Sequence, residues 1–432
     1  MTARTIPRPG LSFRGWNVVA GSFLVQALCF GAIYSFPAFV GPLQASFEAS
    51  DVSVSLIYAL SGAMAFAMGA VGGPLADRFG ARWPVSAGTL IMASGFLLAS
   101  RAQRFPEVLL TYGLLVGTGA GLAYVPALAA VQRWFVAWRG LASGIATAGG
   151  GAGTAMVPVT TAVLSQWGDW RVSFMIAGGA IAALGPLAAI FIASSPEAYG
   201  VRPDGVAPRR RGNDGAERAR GAEWLEGVGL RQAIRGRRFL WLMSGCFMLS
   251  VPVALPYAEI VATARDAGLN TAEALWLLTL IGIGSVGGRL ILGASADRLG
   301  RDRVLLACGL GVAAMMGWWA TAGGPTGFAV FAFGFGIFQG GFVALLPSFV
   351  VDLYGRHSAG GLIGVLFAGR ALAVLLGAPC AAALTSSAGH DAPLWSAGGF
   401  ALLGTLLLAC AAPRARLGPS LAPADMTAGR AL

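Results

Sequence analysis

Long apolar stretches recur along the chain and alternate with short polar segments. Most are about 20 residues or longer, which is the length that a helix needs to cross the hydrocarbon core of a bilayer. The first half of the chain predicts six spans, near 16–40, 52–74, 83–101, 106–130, 139–163 and 170–194. The second half predicts six more, near 239–261, 272–295, 303–322, 325–350, 359–384 and 393–412. We therefore expect an all-α membrane protein with twelve transmembrane helices in two six-helix bundles.

A polar stretch separates the two sets of spans. Residues 195–238 are rich in Arg, Gly, Glu and Pro and include the run Arg209-Arg210-Arg211, which is typical of a connector. The predicted organisation is an N-terminal half (1–194), a cytoplasmic connector (195–238), a C-terminal half (239–412) and a cytoplasmic tail (413–432).

The composition agrees with a membrane protein. Hydrophobic residues make up 56% of the 432 positions, and charged residues make up 11%, less than half the usual fraction of a soluble domain. The 64 glycines suit packed membrane helices, because small residues allow close approach where lipid provides no hydrophobic drive. The five cysteines lie in apolar stretches, and their odd number argues against a disulfide framework.

The arginines predict the orientation in the membrane. All 30 basic side chains are arginines, because the sequence contains no lysine. With the N-terminus inside, 24 arginines fall in cytoplasmic segments, four on the outer side and two within spans, which is a strong positive-inside bias. The net charge of +11 thus has a topological origin, and no soluble basic domain indicates a nucleic-acid partner. We expect a monomeric, multi-pass protein of the bacterial inner membrane with the lipid bilayer around it and both termini in the cytoplasm.

Similar polar motifs follow the second span of each half. The first reads Gly73-Pro-Leu-Ala-Asp77-Arg78-Phe-Gly80, and the second reads Gly293-Ala-Ser-Ala-Asp297-Arg298-Leu-Gly300. Such a repeat indicates duplicated halves, an architecture that places a substrate site between them near the membrane midplane. Glycine permits a tight turn, and Asp and Arg at helix ends can form ion pairs that break when the conformation changes. We predict that the gating residues are Asp77, Arg78, Asp297 and Arg298.

The repeated motif resembles the G-x-L-x-D-R-x-G-R-R loop of the major facilitator superfamily, and the resemblance extends over essentially the whole chain. Arg133-Trp-Phe135, followed by Trp138-Arg-Gly140 and a glycine-rich row to Gly153, is similar to a signature shared by monocarboxylate transporters and oxalate:formate antiporters. The segments 14–16 and 196–205 are similar to the same group. The resemblance implies the major facilitator fold and the transport of small carboxylates by alternating access.

Two arginines, Arg289 and Arg370, lie within predicted spans. A charge in the hydrocarbon costs at least ~2.5 kcal/mol, so such a residue usually faces the protein interior or a watery cavity. The 19 acidic residues provide no counter-charge deep in a span, since Glu259 lies near the outer end of the seventh. We infer that the missing anion is the substrate, because planar guanidinium groups bind carboxylates through two hydrogen bonds. Arg289 could instead extend toward the cytoplasmic face, and Arg370 could instead bind backbone carbonyls.

The resemblance adds detail to this pair. Phe367-Ala-Gly-Arg370 is similar to the antiporter segment that carries a lysine, and Arg289 occupies the place of an antiporter arginine. Monocarboxylate transporters share only that arginine, and they commonly place an acid one turn earlier, where this chain has Ser285. Neither histidine lies in a span, so the sequence offers no obvious proton carrier and favours exchange or uniport over proton symport.

Aromatic and small polar side chains near these arginines are further candidates for substrate contact, although each could instead serve in packing. They are Gln26, Tyr34, Tyr124, Tyr257, Phe338, Gln339 and Phe367. No catalytic motif is present in its required context, so we expect no enzyme activity, cofactor or metal site. Three alternatives to carboxylate exchange or uniport remain. They are proton-coupled monocarboxylate symport, efflux of drugs or other neutral compounds, and a membrane sensor without transport activity.

Overall fold

The structure is a computed structural model that describes residues 10, 13–154, 169–205, 227–388 and 392–412. We number its long helices α1 to α12. The N-terminal half contains α1 (Gly15–Tyr34), α2 (Asp51–Phe79), α3 (Arg82–Ala99), α4 (Gly117–Trp134), α5 (Arg139–Thr154) and α6 (Trp170–Phe191). The C-terminal half contains α7 (Arg237–Asp266), α8 (Thr271–Leu299), α9 (Arg301–Thr321), α10 (Gly324–Tyr354), α11 (Ala359–Ala388) and α12 (Ala392–Ala411).

The predicted architecture of twelve transmembrane helices in two six-helix bundles is confirmed. Within the described ranges, nine helices are long and apolar enough to cross a membrane. The other three are α3, α5, whose described part ends at Thr154, and α11, whose apolar part is Ala359–Leu375. The expected end of the fifth span, part of the connector and the whole tail lie outside the described residues.

Several helix ends differ from the prediction. The helices α2 and α8 continue to Phe79 and Leu299, so both aspartate motifs are helical rather than loops. Polar residues can extend a helix beyond the apolar core because their side chains reach water there. Each helix ends at a glycine in the left-handed region, Gly80 (φ +85°) and Gly300 (φ +101°), a conformation that residues with a Cβ rarely adopt.

Apolar side chains cover much of the outer surface. Large residues that are more than half exposed include Leu110, Ile190, Ile291 and Leu406. A soluble monomer rarely exposes this much apolar surface, whereas lipid chains would cover it favourably. The surface therefore agrees with a protein embedded in a bilayer.

The two halves contact each other closely through two pairs of glycine-containing helices. A Cβ added at Gly73 in α2 would overlap the carbonyl oxygen of Gly360 in α11. A Cβ added at Gly144 in α5 would likewise overlap the backbone oxygen of Arg289 in α8. Small residues thus allow the backbones to touch. Both contacts lie toward the end of the bundle that carries Asp77 and Asp297, which we call the aspartate end.

The start of the connector is bound to the aspartate end by Asp204. Its carboxylate accepts hydrogen bonds from the backbone N–H groups of Val136 (3.1 Å) and Ala137 (2.8 Å), in the loop between α4 and α5. Asp204 is 7% exposed and has φ +58°, which is unfavourable for a residue with a side chain. The hydrogen bonds of the loop compensate for this backbone conformation.

Candidate functional site

Arg289 lies inside the bundle and contacts the opposite half. Its side chain is 8% exposed, and Nη1 donates a hydrogen bond of 3.0 Å to the backbone oxygen of Thr147 in α5. Its Nε atom is buried without an acceptor. Among the described residues, the ionisable side chains that interact with it electrostatically are Tyr257, Tyr34 and Arg370, and none of these is a carboxylic acid.

Arg370 lies in α11 and is held by aromatic rings. The carbon of its guanidinium is 5.0 Å from the ring centre of Phe66, 5.4 Å from that of Phe367 and 5.9 Å from that of Phe342. Rings at these distances attract a cation through their negative faces. The side chain is 6% exposed, its Nε atom has no partner, and it forms no hydrogen bond or ion pair with any described residue.

The structure thus shows both arginines buried without an acidic partner among the described residues, as the sequence indicated. Within the described part of the chain, neither is bridged to a carboxylate, and neither head group lies at the outer surface. A bond to a backbone carbonyl was the alternative considered for Arg370, but among the described residues it is Arg289 that forms one. A pair of buried positive charges without acidic partners is an electrostatic environment that an anion would stabilise.

Four of the aromatic candidates lie close to one another around these arginines. Tyr124 of α4 stacks on Phe367 of α11 with ring centres 5.8 Å apart. Tyr34 of α1 stacks on Tyr257 of α7 at 6.1 Å, and Phe30 contacts both Tyr34 and Tyr124. Each of the two stacked pairs joins the N-terminal half to the C-terminal half. The hydroxyl of Tyr124 is buried without a hydrogen-bond partner.

The polar candidates and Phe338 are placed differently. Gln339 of α10 is 6% exposed, and its Oε1 accepts a 3.0 Å hydrogen bond from Ser285, one turn before Arg289. Gln26 is buried in α1 with 2% exposure. The structure does not bring Phe338 into the group, because its ring packs against Gly311 of α9. Phe30, Phe66, Phe342 and Thr147 belong to the arginine surroundings but were not predicted.

Asp77 connects the halves at the aspartate end. Its carboxylate accepts hydrogen bonds from the backbone N–H groups of Gly360 (3.0 Å) and Gly361 (2.7 Å), at the start of α11. Arg133, at the end of α4, forms an ion pair with the same carboxylate. An acid at a helix start is favourable because the first N–H groups of a helix have no partner within it.

Asp297 makes the equivalent connection from the C-terminal half to the N-terminal half. It accepts hydrogen bonds from the N–H groups of Gly140 (2.8 Å) and Leu141 (2.9 Å), at the start of α5. Arg301 is paired with Asp297 at 2.8 Å and with Asp352 at 2.9 Å. Arg301 Nη2 also donates to the carbonyl oxygens of the α4–α5 loop, which links this network to the N-terminal half.

Two of the four predicted gating residues are outside these networks. Arg78 and Arg298 are exposed and form no ion pair with any described residue. The arginines that do pair with aspartates are Arg133, Arg139 and Arg301. The i, i+4 spacing of Asp297 and Arg301 is a sequence signal for one of these pairs. The others join distant segments and have no local signature.

The repeat of the two halves and their cross-connections agree with the comparison to known proteins. The profile described as Major Facilitator Superfamily matches residues 22–257 and 241–427, nearly the whole chain. The chain belongs to the major facilitator superfamily. This major facilitator protein is a membrane transporter and not an enzyme. Among its described residues, no group of three or more His, Cys, Asp or Glu could hold a metal ion.

Similar proteins include named transporters. Monocarboxylate transporter 13 of Bos taurus is 28% identical over 401 residues, an alignment that covers 91% of this chain and 88% of that protein. MFS transporter asaE of Aspergillus flavus is 28% identical over 397 residues and covers 89% and 83%, respectively.

Solved structures share the fold at lower identity. The proton:xylose symporter XylE gives a TM-score of 0.71 at 17% identity, over 91% of this chain and 94% of that one. The human organic anion transporter MFSD10 gives a TM-score of 0.69 at 17% identity, over 91% and 99%. These likenesses establish the fold of this major facilitator protein.

Proposed function

We propose that the protein moves small organic carboxylate anions across the membrane by alternating access, through exchange or uniport. The observation that carries this proposal is the pair Arg289 and Arg370, buried between the halves without an acidic partner in the described chain. Burying an unpaired charge is costly, and a bound carboxylate would reduce that cost for both arginines. The relatives that are named monocarboxylate transporters support the same class of substrate.

The movement that we propose is a rocking of residues 1–194 against 239–412, joined by the connector 195–238 and followed by the tail 413–432. The hydrogen bonds of Asp77 to α11 and of Asp297 to α5 would break when the aspartate end opens. The positive-inside bias supports a cytoplasmic location for this end and for both termini. We propose a monomer in a bacterial inner membrane.

In the described ranges no acid interacts electrostatically with Arg289, which supports exchange or uniport. A proton symporter needs a group that binds and releases a proton during transport, and such groups in membrane proteins are usually carboxylates or histidines. The side chain one turn before Arg289 is Ser285, which is hydrogen-bonded to Gln339 and does not titrate.

Transport by the purified protein in liposomes tests the proposal. Vesicles loaded with one carboxylate are placed in a labelled carboxylate, and the same assay is repeated with the matching neutral amide. We expect uptake of the acid without alkalinisation of the outside medium, and no uptake of the amide. Uptake accompanied by proton entry would identify a symporter instead. Equal uptake of acid and amide would contradict the anion proposal and favour a carrier of neutral compounds.

A further inference from the structure

The two arginines of the site are held in different ways. Arg289 already donates a hydrogen bond to Thr147 of the opposite half, and its Nη1 lies where Gly150 and Gly151 provide space. A Cβ added at Gly151 would lie 3.2 Å from that nitrogen. Arg289 is thus a link between α8 and α5 as well as a positive charge. Arg370 forms no such hydrogen bond with any described residue, and it meets the opposite half at the ring of Phe66.

The donors of Arg370 bind no acceptor in the described part of the chain. A guanidinium carries five N–H donors, and aromatic rings attract its charge without providing the oxygen acceptors that these donors need. Three rings pack against Arg370, and its Nε is fully buried without an acceptor. The rings restrict the side chain, so they prepare it for a planar acceptor that can take two hydrogen bonds.

A second group without a partner among the described residues, Tyr124, contacts the same ring as Arg370. Tyr124 is 3% exposed, and its hydroxyl has no hydrogen-bond partner among the described residues. The side chain interacts electrostatically with Arg370. The Tyr124 ring stacks on Phe367, which itself contacts Arg370, so the same ring wall holds both residues. A carboxylate between them would accept hydrogen bonds from both side chains.

We propose that the substrate is a monocarboxylate with a flat aromatic body, and that Arg370 and Tyr124 bind its carboxylate. This inference rests on the proposed function and narrows its substrate class. The rings of Phe30, Tyr34, Tyr257 and Phe66 surround the same region and offer faces and edges to an aromatic body. Arg289 donates one hydrogen bond to Thr147, so it has fewer donors than Arg370 to offer a second carboxylate, while its charge still attracts the bound anion.

A binding panel on the purified full-length protein tests this inference. The probes are phenylacetate, cyclohexylacetate, acetate, phenylacetamide and succinate, with affinity measured by calorimetry and the thermal shift recorded for each. We expect phenylacetate to bind at least about ten-fold more tightly than the other four. The loss of either the ring contacts or the charge-assisted hydrogen bonds should weaken the affinity by about this factor. The strongest competitor should be cyclohexylacetate, which keeps the charge and the size but is not flat.

Tyr124→Phe removes only the unpaired hydroxyl and keeps the ring. We expect this variant to be as stable as the parent without ligand, because no hydrogen bond is lost, and to bind phenylacetate about ten-fold more weakly. Arg370→Lys should lose more, because lysine cannot form the paired hydrogen bonds of a guanidinium. Arg82→Ala, at an exposed position in α3, controls for the loss of an arginine.

The results separate this inference from the proposed function. The inference would be overturned if succinate bound most tightly, or if acetate or cyclohexylacetate bound as tightly as phenylacetate. It would also be overturned if Tyr124→Phe left the affinity for phenylacetate unchanged. Carboxylate transport in liposomes would still stand after any of these outcomes. Binding of phenylacetamide as tightly as phenylacetate would overturn both.

Discussion

The carboxylate of Asp77 accepts a hydrogen bond of 3.0 Å from the backbone N–H of Gly360, a residue of the opposite half. Asp297 makes the equivalent contact with Gly140, so each half provides an acid that binds the start of a helix in the other. The two contacts are related by the internal repeat and lie at the same end of the bundle. They stabilise the conformation in which the aspartate end is closed.

Removing these acids should open the aspartate end. A cap at a helix start contributes about 1 kcal/mol, so Asp77→Ala and Asp297→Ala should each shift the population of closed molecules roughly five-fold. Spin labels at the exposed residues Phe79 and His357, one in each half, report the separation. We expect a longer distance in both variants. Asp302→Ala, which removes an acid that pairs with no described residue, should leave the distance unchanged.

The glycine contacts between the halves make a second prediction. A Cβ at Gly144 would overlap the backbone oxygen of Arg289, so Gly144→Ala should displace α8 and reduce uptake by ten-fold or more, on the order of the cost of overpacking. Gly287→Ala in α8 is the control, because a Cβ there meets no heavy atom within 4 Å. Uptake is measured per amount of inserted protein. Equal uptake by the two variants would show that the close approach of α5 and α8 is unnecessary.

Asp204 allows a prediction about stability. Asp204→Ala removes the acceptor of the loop N–H groups but keeps a side chain at φ +58°, so it should destabilise the fold by about 2 kcal/mol. Asp204→Gly should lose about 1 kcal/mol less, because glycine adopts a positive φ without strain. Denaturant unfolding of the purified protein compares the two. The reverse order would mean that the backbone conformation of Asp204 costs nothing.

Variants of two phenylalanines separate a role in substrate binding from a role in helix packing. Phe367 contacts Arg370 and Tyr124, whereas Phe338 packs against Gly311 of a neighbouring helix. We expect Phe367→Leu to weaken substrate binding by roughly five-fold, which corresponds to about 1 kcal/mol of lost cation–π attraction. Phe338→Leu should alter thermal stability and leave the affinity for carboxylates unchanged. A substrate affinity that falls equally in both variants would argue against the assignment.

The sequence predicted the fold well because its signals are local. Apolar runs and the positions of arginines depend only on the bilayer, so twelve spans and the two buried charges could be recognised without a structure. The helix ends at Phe79 and Leu299 were harder to predict, because polar residues continue a helix outside the apolar core.

The site was predicted less completely because it depends on which helices meet. Phe66 and Phe342 look like any membrane aromatic until α2, α10 and α11 are packed around Arg370. Phe338 and Gln339 are adjacent in sequence but point to different sides of α10, since each residue of a helix turns by about 100°. The pairing of Arg133 with Asp77 joins residues of different helices, which no local pattern reveals.

Uptake by arginine variants tests the central claim most directly. Arg289→Met and Arg370→Met keep side chains of similar length and remove the charges, and Arg82→Ala serves as the exposed control. Each protein is reconstituted at equal density and supplied with a labelled carboxylate that the parent accepts. We predict that both methionine variants lose at least nine-tenths of the uptake, on the order of one charge-assisted hydrogen bond, while the control retains it. Full uptake of the carboxylate by both methionine variants would contradict the claim that these arginines bind the transported anion.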